Sequence, residues 1–220
     1  MRALALLPCV VVLAACAAVA GASDRAPGFV SQPPAAEGSQ SPVEVPAGAY
    51  RLDRNHGSVH FRIRHMDLAW FTARFDTMDA RLTVNPAQPE LSQLTASVGA
   101  ASVNTGVLAA NGERRFDATV ARALGAETTP QITFASTGIA RTGANTARVT
   151  GDLTLNGQTH PATLEVTFDG ARVDPLRGGA MVLGFSGYGV IDRTQWGVTD
   201  WGAFTGAEVQ LVIEAELVKE

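Results

Sequence analysis

Apolar and polar residues alternate with a period of two along much of the chain, most clearly over 151–168, GDLTLNGQTHPATLEVTF. Leu153 and Leu155 alternate with Asp152, Thr154 and Asn156. After Pro161, Ala162, Leu164, Val166 and Phe168 alternate with Thr163, Glu165 and Thr167. That period sends successive side chains to opposite faces of a strand, one dry and one wet. Asn156-Gly157 lies between the two runs, and both residue types tolerate the positive φ that a two-residue type I′ turn requires. The stretch predicts a long antiparallel hairpin. A slip of one residue would turn the apolar face of its second strand into water, so the register is well specified.

Similar alternation predicts strands elsewhere. Residues 49–53 read as a short strand and Asn55-His56-Gly57 as a turn, after which Val59, Phe61, Ile63 and His65 alternate with His60, Arg62 and Arg64. Residues 66–71 fit a bend or helical turn, and 72–84 a strand or hairpin pair stopped by Asn85-Pro86 and Pro89. Residues 91–103 form a long strand with a mostly small face (Leu94, Ala96, Val98, Ala100), and five more strands are expected over 131–140, 146–156, 158–169, 180–192 and 208–219. One helix is predicted, with Phe116, Val120, Ala123 and Leu124 at i, i+4, i+7 and i+8, Asn111 as its N-cap and Gly125 at C′. About eight strands and one short amphipathic helix point to an all-β fold closed as a single antiparallel barrel, with a sandwich as the alternative.

The first residues break the pattern. Met1-Arg2 is followed by an apolar run, Ala3 to Ala15, too short to span a bilayer and of the length of a secretory h-region. It ends in Leu13-Ala14-Ala15-Cys16, which looks like a bacterial lipobox with Cys16 as the lipidated residue; Ala18-Val19-Ala20 offers ordinary cleavage instead. Residues 17 to about 47 are rich in Ala, Ser, Gly and Pro without periodicity. The expected organisation is a signal over 1–15, a lipidated cysteine and disordered tether over 16–47, and a barrel domain over 48–220. The expected location is the periplasm, on a membrane anchor or soluble after ordinary cleavage.

Both cysteines, Cys9 and Cys16, fall in or beside the signal, so the folded part has no disulfide or thiolate chemistry. Net charge is -4, and the basic residues are scattered, which argues against nucleic acid. His56 and His60 share strand parity while His65 points the other way, so no metal is assigned to them. Asp53, Asp67, Asp76 and Asp79 are candidates for a paired-carboxylate site. Asp192-Arg193 reads as an ion pair or a cap for the turn before Trp196. Phosphate-loop, nucleophile-elbow and zinc-protease motifs are absent from the sequence, and no catalytic residue or cofactor is assigned. A more informative feature is apolar: along Leu183, Phe185, Gly187 and Gly189 the inward face shrinks to glycine, and Ala96 and Val98 are also small. Such residues either admit the helix closely or leave an elongated cavity. Aromatic residues available for its walls are Phe61, Trp70, Phe75, Phe134, Phe168, Trp196, Trp201 and Phe204.

Several short segments, in order, carry a family resemblance: Tyr50-Arg-Leu-Asp53 with His56, His60 to Met66, Ser102-Val-Asn-Thr-Gly106, Pro130 to Phe134, Gly151 to Leu155 with Gly157 and Pro161, and Ile191-Asp-Arg193 with Trp196-Gly197. Over about residues 49–218 the chain resembles the YceI-like family. The resemblance implies an extended, lipocalin-like, eight-stranded antiparallel barrel, secreted to the periplasm, whose hydrophobic tunnel takes a polyisoprenoid chain without chemistry. The expected tunnel lining is Phe61, Ile63, Trp70, Phe75, Ala96, Val98, Phe134, Leu153, Phe168, Leu183, Phe185, Gly187 and Trp196. Expected partners are an isoprenoid or other amphiphilic lipid and the membrane; a homodimer is left open. The alternatives are a lipid hydrolase or isomerase using Asp53, His56 or His65, and a stress-related scaffold with a filled core. Where many members carry an Arg-Asp-x-His-Leu segment, this chain has Glu113 to Leu124 in a regular amphipathic pattern, so no head-group contact is carried over.

Overall fold

The computed structural model describes residues 44–220. The signal, Cys16 and most of the proposed tether lie outside them. Ten strand segments are formed: β1 (Gly48–His65), β2 (Ala69–Phe75), β3 (Met78–Val84), β4 (Gln93–Gly99), β5 (Val103–Asn104), β6 (Gln131–Arg141), β7 (Thr146–Leu155), β8 (Gln158–Asp174), β9 (Ala180–Asp192) and β10 (Thr205–Lys219). The single α-helix among the described residues, α1, is Arg115–Ala123. Pairing is antiparallel throughout, in the order β10-β9-β8-β7-β6-β4-β3-β1, and β10 pairs with β1 to close the ring.

Ten segments make eight strands. β2 runs beside the second half of β1 (Val59↔Phe75) and β3 beside its start (Gly48↔Val84), so β2 and β3 are one strand broken at Asp76 and Thr77. β4 and β5 are likewise one strand, interrupted by the 3-10 turn Ala100–Ser102. Closure removes the exposed edges that an open sheet would present.

The hairpin predicted at 151–168 forms as expected. Leu155 pairs with Gln158, Asn156 and Gly157 have φ of 50° and 72°, and β8 continues beyond the predicted end to Asp174. The first half departs from its prediction. No turn separates two strands at Asn55-His56-Gly57; β1 runs through, and Asp53 to His56 bulge out between the pairs Leu52↔Leu217 and Gly57↔Ala215. A tight turn, Met66 to Leu68, then reverses the chain directly into β2. The strand over 91–103 breaks at the 3-10 turn. The helix begins after Arg114 rather than at Asn111, whose carboxamide instead accepts from Glu113 N at 3.2 Å. Its first turn is held from outside, where Asp117 Oδ1 accepts from Thr105 N at 2.9 Å. Gly125, at φ 75°, ends it as predicted.

The barrel has two ends. At the His65 end lie the turn 66–68, the loop 105–114, α1, the Asn156-Gly157 turn and the segment 193–204. At the Gly48 end lie the connections 85–92, 142–145 and 175–179. Val120 and Ala121 of α1 pack on Ala73, Phe75 and Val103, so the helix roofs the barrel near its His65 end.

Candidate ligand cavity

The inward faces do not meet in the middle. They enclose a cavity of about 1150 Å³ whose wall runs from Val84, Asn85 and Asn145 at the Gly48 end to His65, Trp201 and Phe204 at the other. Strand alternation puts Phe61, Ile63, Ala96, Val98 and Leu153 in that wall. Phe75, Phe134, Phe168, Leu183, Phe185 and Gly187 stand there also. The four periodic residues of the helix region, Phe116, Val120, Ala123 and Leu124, face the cavity as well, which explains their spacing. Further wall residues fall on the same parity, among them Leu82, Leu94, Ile132, Leu211 and Ile213. Apart from the two ends, aliphatic and aromatic carbon forms almost all of the wall.

Two expected lining residues are elsewhere. Trp70 pairs with Arg64 across β1 and β2, one residue out of step with Phe71, and so lies on the outer face. There the guanidinium groups of Arg62 and Arg64 stand 5.2 and 5.4 Å from its ring centre. Trp196 is buried behind the wall, with its Nε1 donating to Leu153 O at 2.9 Å and its ring 5.3 Å from that of His160. Its 3-10 turn, Arg193–Trp196, carries it out of strand parity. Gly187 and Gly189 also differ. A Cβ on Gly187 would meet Ile213 at 3.4 Å, beside the cavity, whereas one on Gly189 would stand 2.7 Å from Leu164 Cδ2 and 3.1 Å from Thr163 O.

Polar groups gather where the cavity reaches the surface. At the His65 end Arg193, 5 % exposed, is sheathed in oxygen atoms. Its Nε donates to Gly206 O at 3.0 Å, Nη1 to Val198 O and Asp200 O at 2.6 and 2.9 Å, and Nη2 to Thr205 Oγ1 at 2.9 Å. Burial lowers its pKa, opposed by the charges of Asp192 and Asp200. Arg193 is thus a structural cation that ties down the loop after β9, not the partner of Asp192. Asp192 instead caps the turn by accepting from Thr194 N at 2.9 Å. Arg141 and Asn145 mark the Gly48 end.

The candidate acids and bases do not converge on the cavity. The bulge of β1 sets Asp53 and His56 outside the wall, with Asp53 Oδ2 and His56 Nδ1 2.6 Å apart, while His65 stands at the opposite end. Asp53, His56 and Glu216 form a cluster with the geometry of a cation site, but Arg177 already reaches in, bonding Asp53 and lying 3.6 Å from Glu216 Oε2. A metal would have to displace that guanidinium. The hydrogen bond from His56 is the main cause of a lowered Asp53 pKa; burial opposes it, while Asn55 N–H and the Arg177 charge add to it. Of the other candidate carboxylates, Asp76 and Asp79 meet separate arginines, Arg74 at 2.8 Å and Arg54 at 3.4 Å, and Asp67 lies in the turn after β1.

Comparison with known proteins agrees with this architecture. The model of the YceI-like domain matches residues 50–217. Protein YceI of Salmonella newport is 31% identical over 176 residues, covering 79% of this chain and 88% of its own. A UPF0312 protein of Pseudomonas putida is 32% identical over the same length and shares. Among solved structures, Burkholderia cenocepacia BcnA superposes with a TM-score of 0.63 at 25% identity, over 77% of this chain and 99% of its own. A polyisoprenoid binding domain from Saccharophagus degradans shares the fold at a TM-score of 0.51 and 13% identity, over 80% of this chain and 100% of its own.

Proposed function

Because the chain belongs to the YceI-like domain family, we propose that it binds and carries a lipid with a long apolar chain, an isoprenoid or similar amphiphile, inside the barrel. The observation that carries the reading is the cavity, about 1150 Å³ walled by apolar side chains in a closed barrel. Protein interiors pack with few voids larger than a water molecule, so a space of this size and lining is one for a guest. Its course between the two ends favours a linear chain over a compact molecule. Burial drives binding at about 25 cal/mol per Å² of apolar surface, less the cost of ordering the chain. The neighbour from Saccharophagus degradans named for polyisoprenoid binding supports the ligand class. The reading includes no covalent step, and the scattered acids and bases support that.

The test is extraction of the purified protein with organic solvent, followed by mass spectrometry. A prenyl lipid present near one per protein is expected. A mixture of phospholipids in membrane proportions, or no lipid at all, would overturn the reading. Its cellular part, a periplasmic carrier anchored through Cys16, is checked by fractionation. Cys16→Ala is expected to move the protein from the membrane to the soluble periplasmic fraction. A wild type that is already soluble there would remove the anchor.

A further inference from the structure

The loops at the His65 end expose apolar side chains in a connected set. Met66 is 56% exposed, Leu68 79%, Leu108 62% and Phe204 56%. They are not loose. Met66 N donates to Phe204 O at 2.7 Å, Phe204 N to Trp201 O at 2.8 Å, and the Trp201 ring lies 5.9 Å from that of Phe116. Arg193 holds the backbone beneath through Val198 O, Asp200 O and Gly206 O. Met66 and Trp201 adopt positive φ, 50° and 56°, a conformation unfavourable for side chains of their size. A hydrogen-bonded, strained rim of methionine, leucine, phenylalanine and tryptophan pointing into water is not what folding alone would select.

We propose that this rim docks the barrel on the surface of a lipid bilayer, so that cargo passes between membrane and cavity without crossing water. Trp201 and Phe204 belong both to the exposed rim and to the cavity wall, so the surface is continuous with the tunnel. Behind the apolar tips, Arg64 lies over the Trp70 ring and donates to Asp67 O, a cation placed at the depth of lipid phosphates when the tips insert. Asp67 and Asp200 share these loops, so insertion of apolar side chains rather than net charge supplies the attraction. The chain that precedes the described part allows this posture. It enters at the Gly48 end, and the 29 residues from Cys16 to Glu44 reach up to about 95 Å extended. The barrel is about 40 Å long, taking the 15 residues of β10 at the usual rise and tilt. A molecule tethered at Cys16 can therefore still turn its rim to the same membrane. The role of cargo transfer rests on the carrier reading; the docking itself does not.

The test is co-sedimentation of the full chain, carrying Cys16→Ala to remove any acyl anchor, with vesicles of phosphatidylethanolamine and phosphatidylglycerol at about 3:1. In that background Met66→Asn, Leu68→Ser and Phe204→Ser together are expected to lower partitioning at least about tenfold, with the melting midpoint little changed. Asparagine accepts the positive φ of Met66. Leu176→Ser, at an exposed leucine of the Gly48 end, is expected to leave partitioning unchanged, and vesicles should blue-shift the tryptophan emission of the chain with an intact rim. Equal partitioning of the triple variant, or an equal loss with Leu176→Ser, would overturn the proposal. So would a rim that drives self-association without binding vesicles, which would make a second copy its occupant. Vesicle binding with no extractable prenyl lipid would leave docking standing and remove the carrier; the reverse result would do the opposite.

Discussion

The two ends of the barrel solve the problem of ending a closed sheet with different chemistry. At the Gly48 end charge does the work: Arg177 from the β8–β9 connection reaches Asp53, Asp174 and Glu216, and Arg51 and Arg54 meet Asp79. At the His65 end a single buried arginine spends its donors on backbone and hydroxyl oxygen, and exposed apolar side chains stand outside it beside Asp67, Asp200 and the ion pairs of the helix. Exposed ion pairs give little stability and much solubility. Buried guanidinium bonds to carbonyls fix a loop in one shape. The Gly48 end exposes leucines too, Leu91 and Leu176, so what sets the His65 end apart is that a buried cation fixes its loops and that its exposed aromatic side chains continue into the cavity wall.

The largest effect should come from Arg193→Met. Four hydrogen bonds disappear, and the carbonyls of Val198, Asp200 and Gly206 lose their donor inside the protein. A loss of about 3–5 kcal/mol is expected, as for other broken buried charged networks. Hydrogen exchange should rise over 198–206 while amides of the Gly48 end keep their protection. Equal loosening at both ends would erase the contrast between them.

Gly157→Val should come next, at about 1–2 kcal/mol. The residue has φ 72°, and its turn partner Asn156 donates through Nδ2 to Trp196 O at 3.1 Å, so the turn steadies the packing under the rim. Thermal melts measure it. An unchanged midpoint would show that a turn without positive φ serves equally well.

Between the ends, Gly187→Leu separates tunnel from packing. A side chain there enters the cavity past Ile213, so co-purifying lipid should fall while stability changes by less than about 1 kcal/mol. Gly189→Leu is the contrast, because its Cβ would press on Leu164 and on the Thr163 carbonyl, and overpacking of about 1–3 kcal/mol is expected. Equal behaviour of the two variants would mean that the wall is not where the parity of β9 puts it.

Parity is also what made the barrel legible. Alternation along β7, β8 and β10 marked the inward residues, and Asn156-Gly157 set the register between the first two. Where a side chain leaves strand parity, the sequence misleads. Trp70 and Phe71 are adjacent aromatics, and only the turn at Met66 to Leu68 decides which of them faces in. Trp196 rides a 3-10 turn, and the bulge from Asp53 to His56 hides inside what reads as a turn between strands. The rim could not be read at all, since its residues come from three loops that become neighbours only when β10 closes on β1.

The smallest effect belongs to the Gly48 end, and its sign is set by Asp53. A carboxyl whose folded pKa lies below its unfolded value adds stability above the unfolded pKa, near 4, and loses it as pH falls through the folded one. His56 is the chief cause of the lowering, with burial opposing it and Asn55 N–H and Arg177 assisting. Asp53→Asn should therefore cost up to about 1 kcal/mol at pH 7, because Asp53 and Arg177 are partly covered while water still reaches His56 and Glu216. The gap from wild type should close as the pH is taken toward 3, read as the difference in melting midpoint. Vesicle partitioning should not change, since the substitution lies at the opposite end from the rim. A gap that stays constant with pH would mean that Asp53 acts through the shape of the bulge rather than through its charge, and the contrast of an ion-paired end with a hydrogen-bonded one would then fail at the Gly48 end.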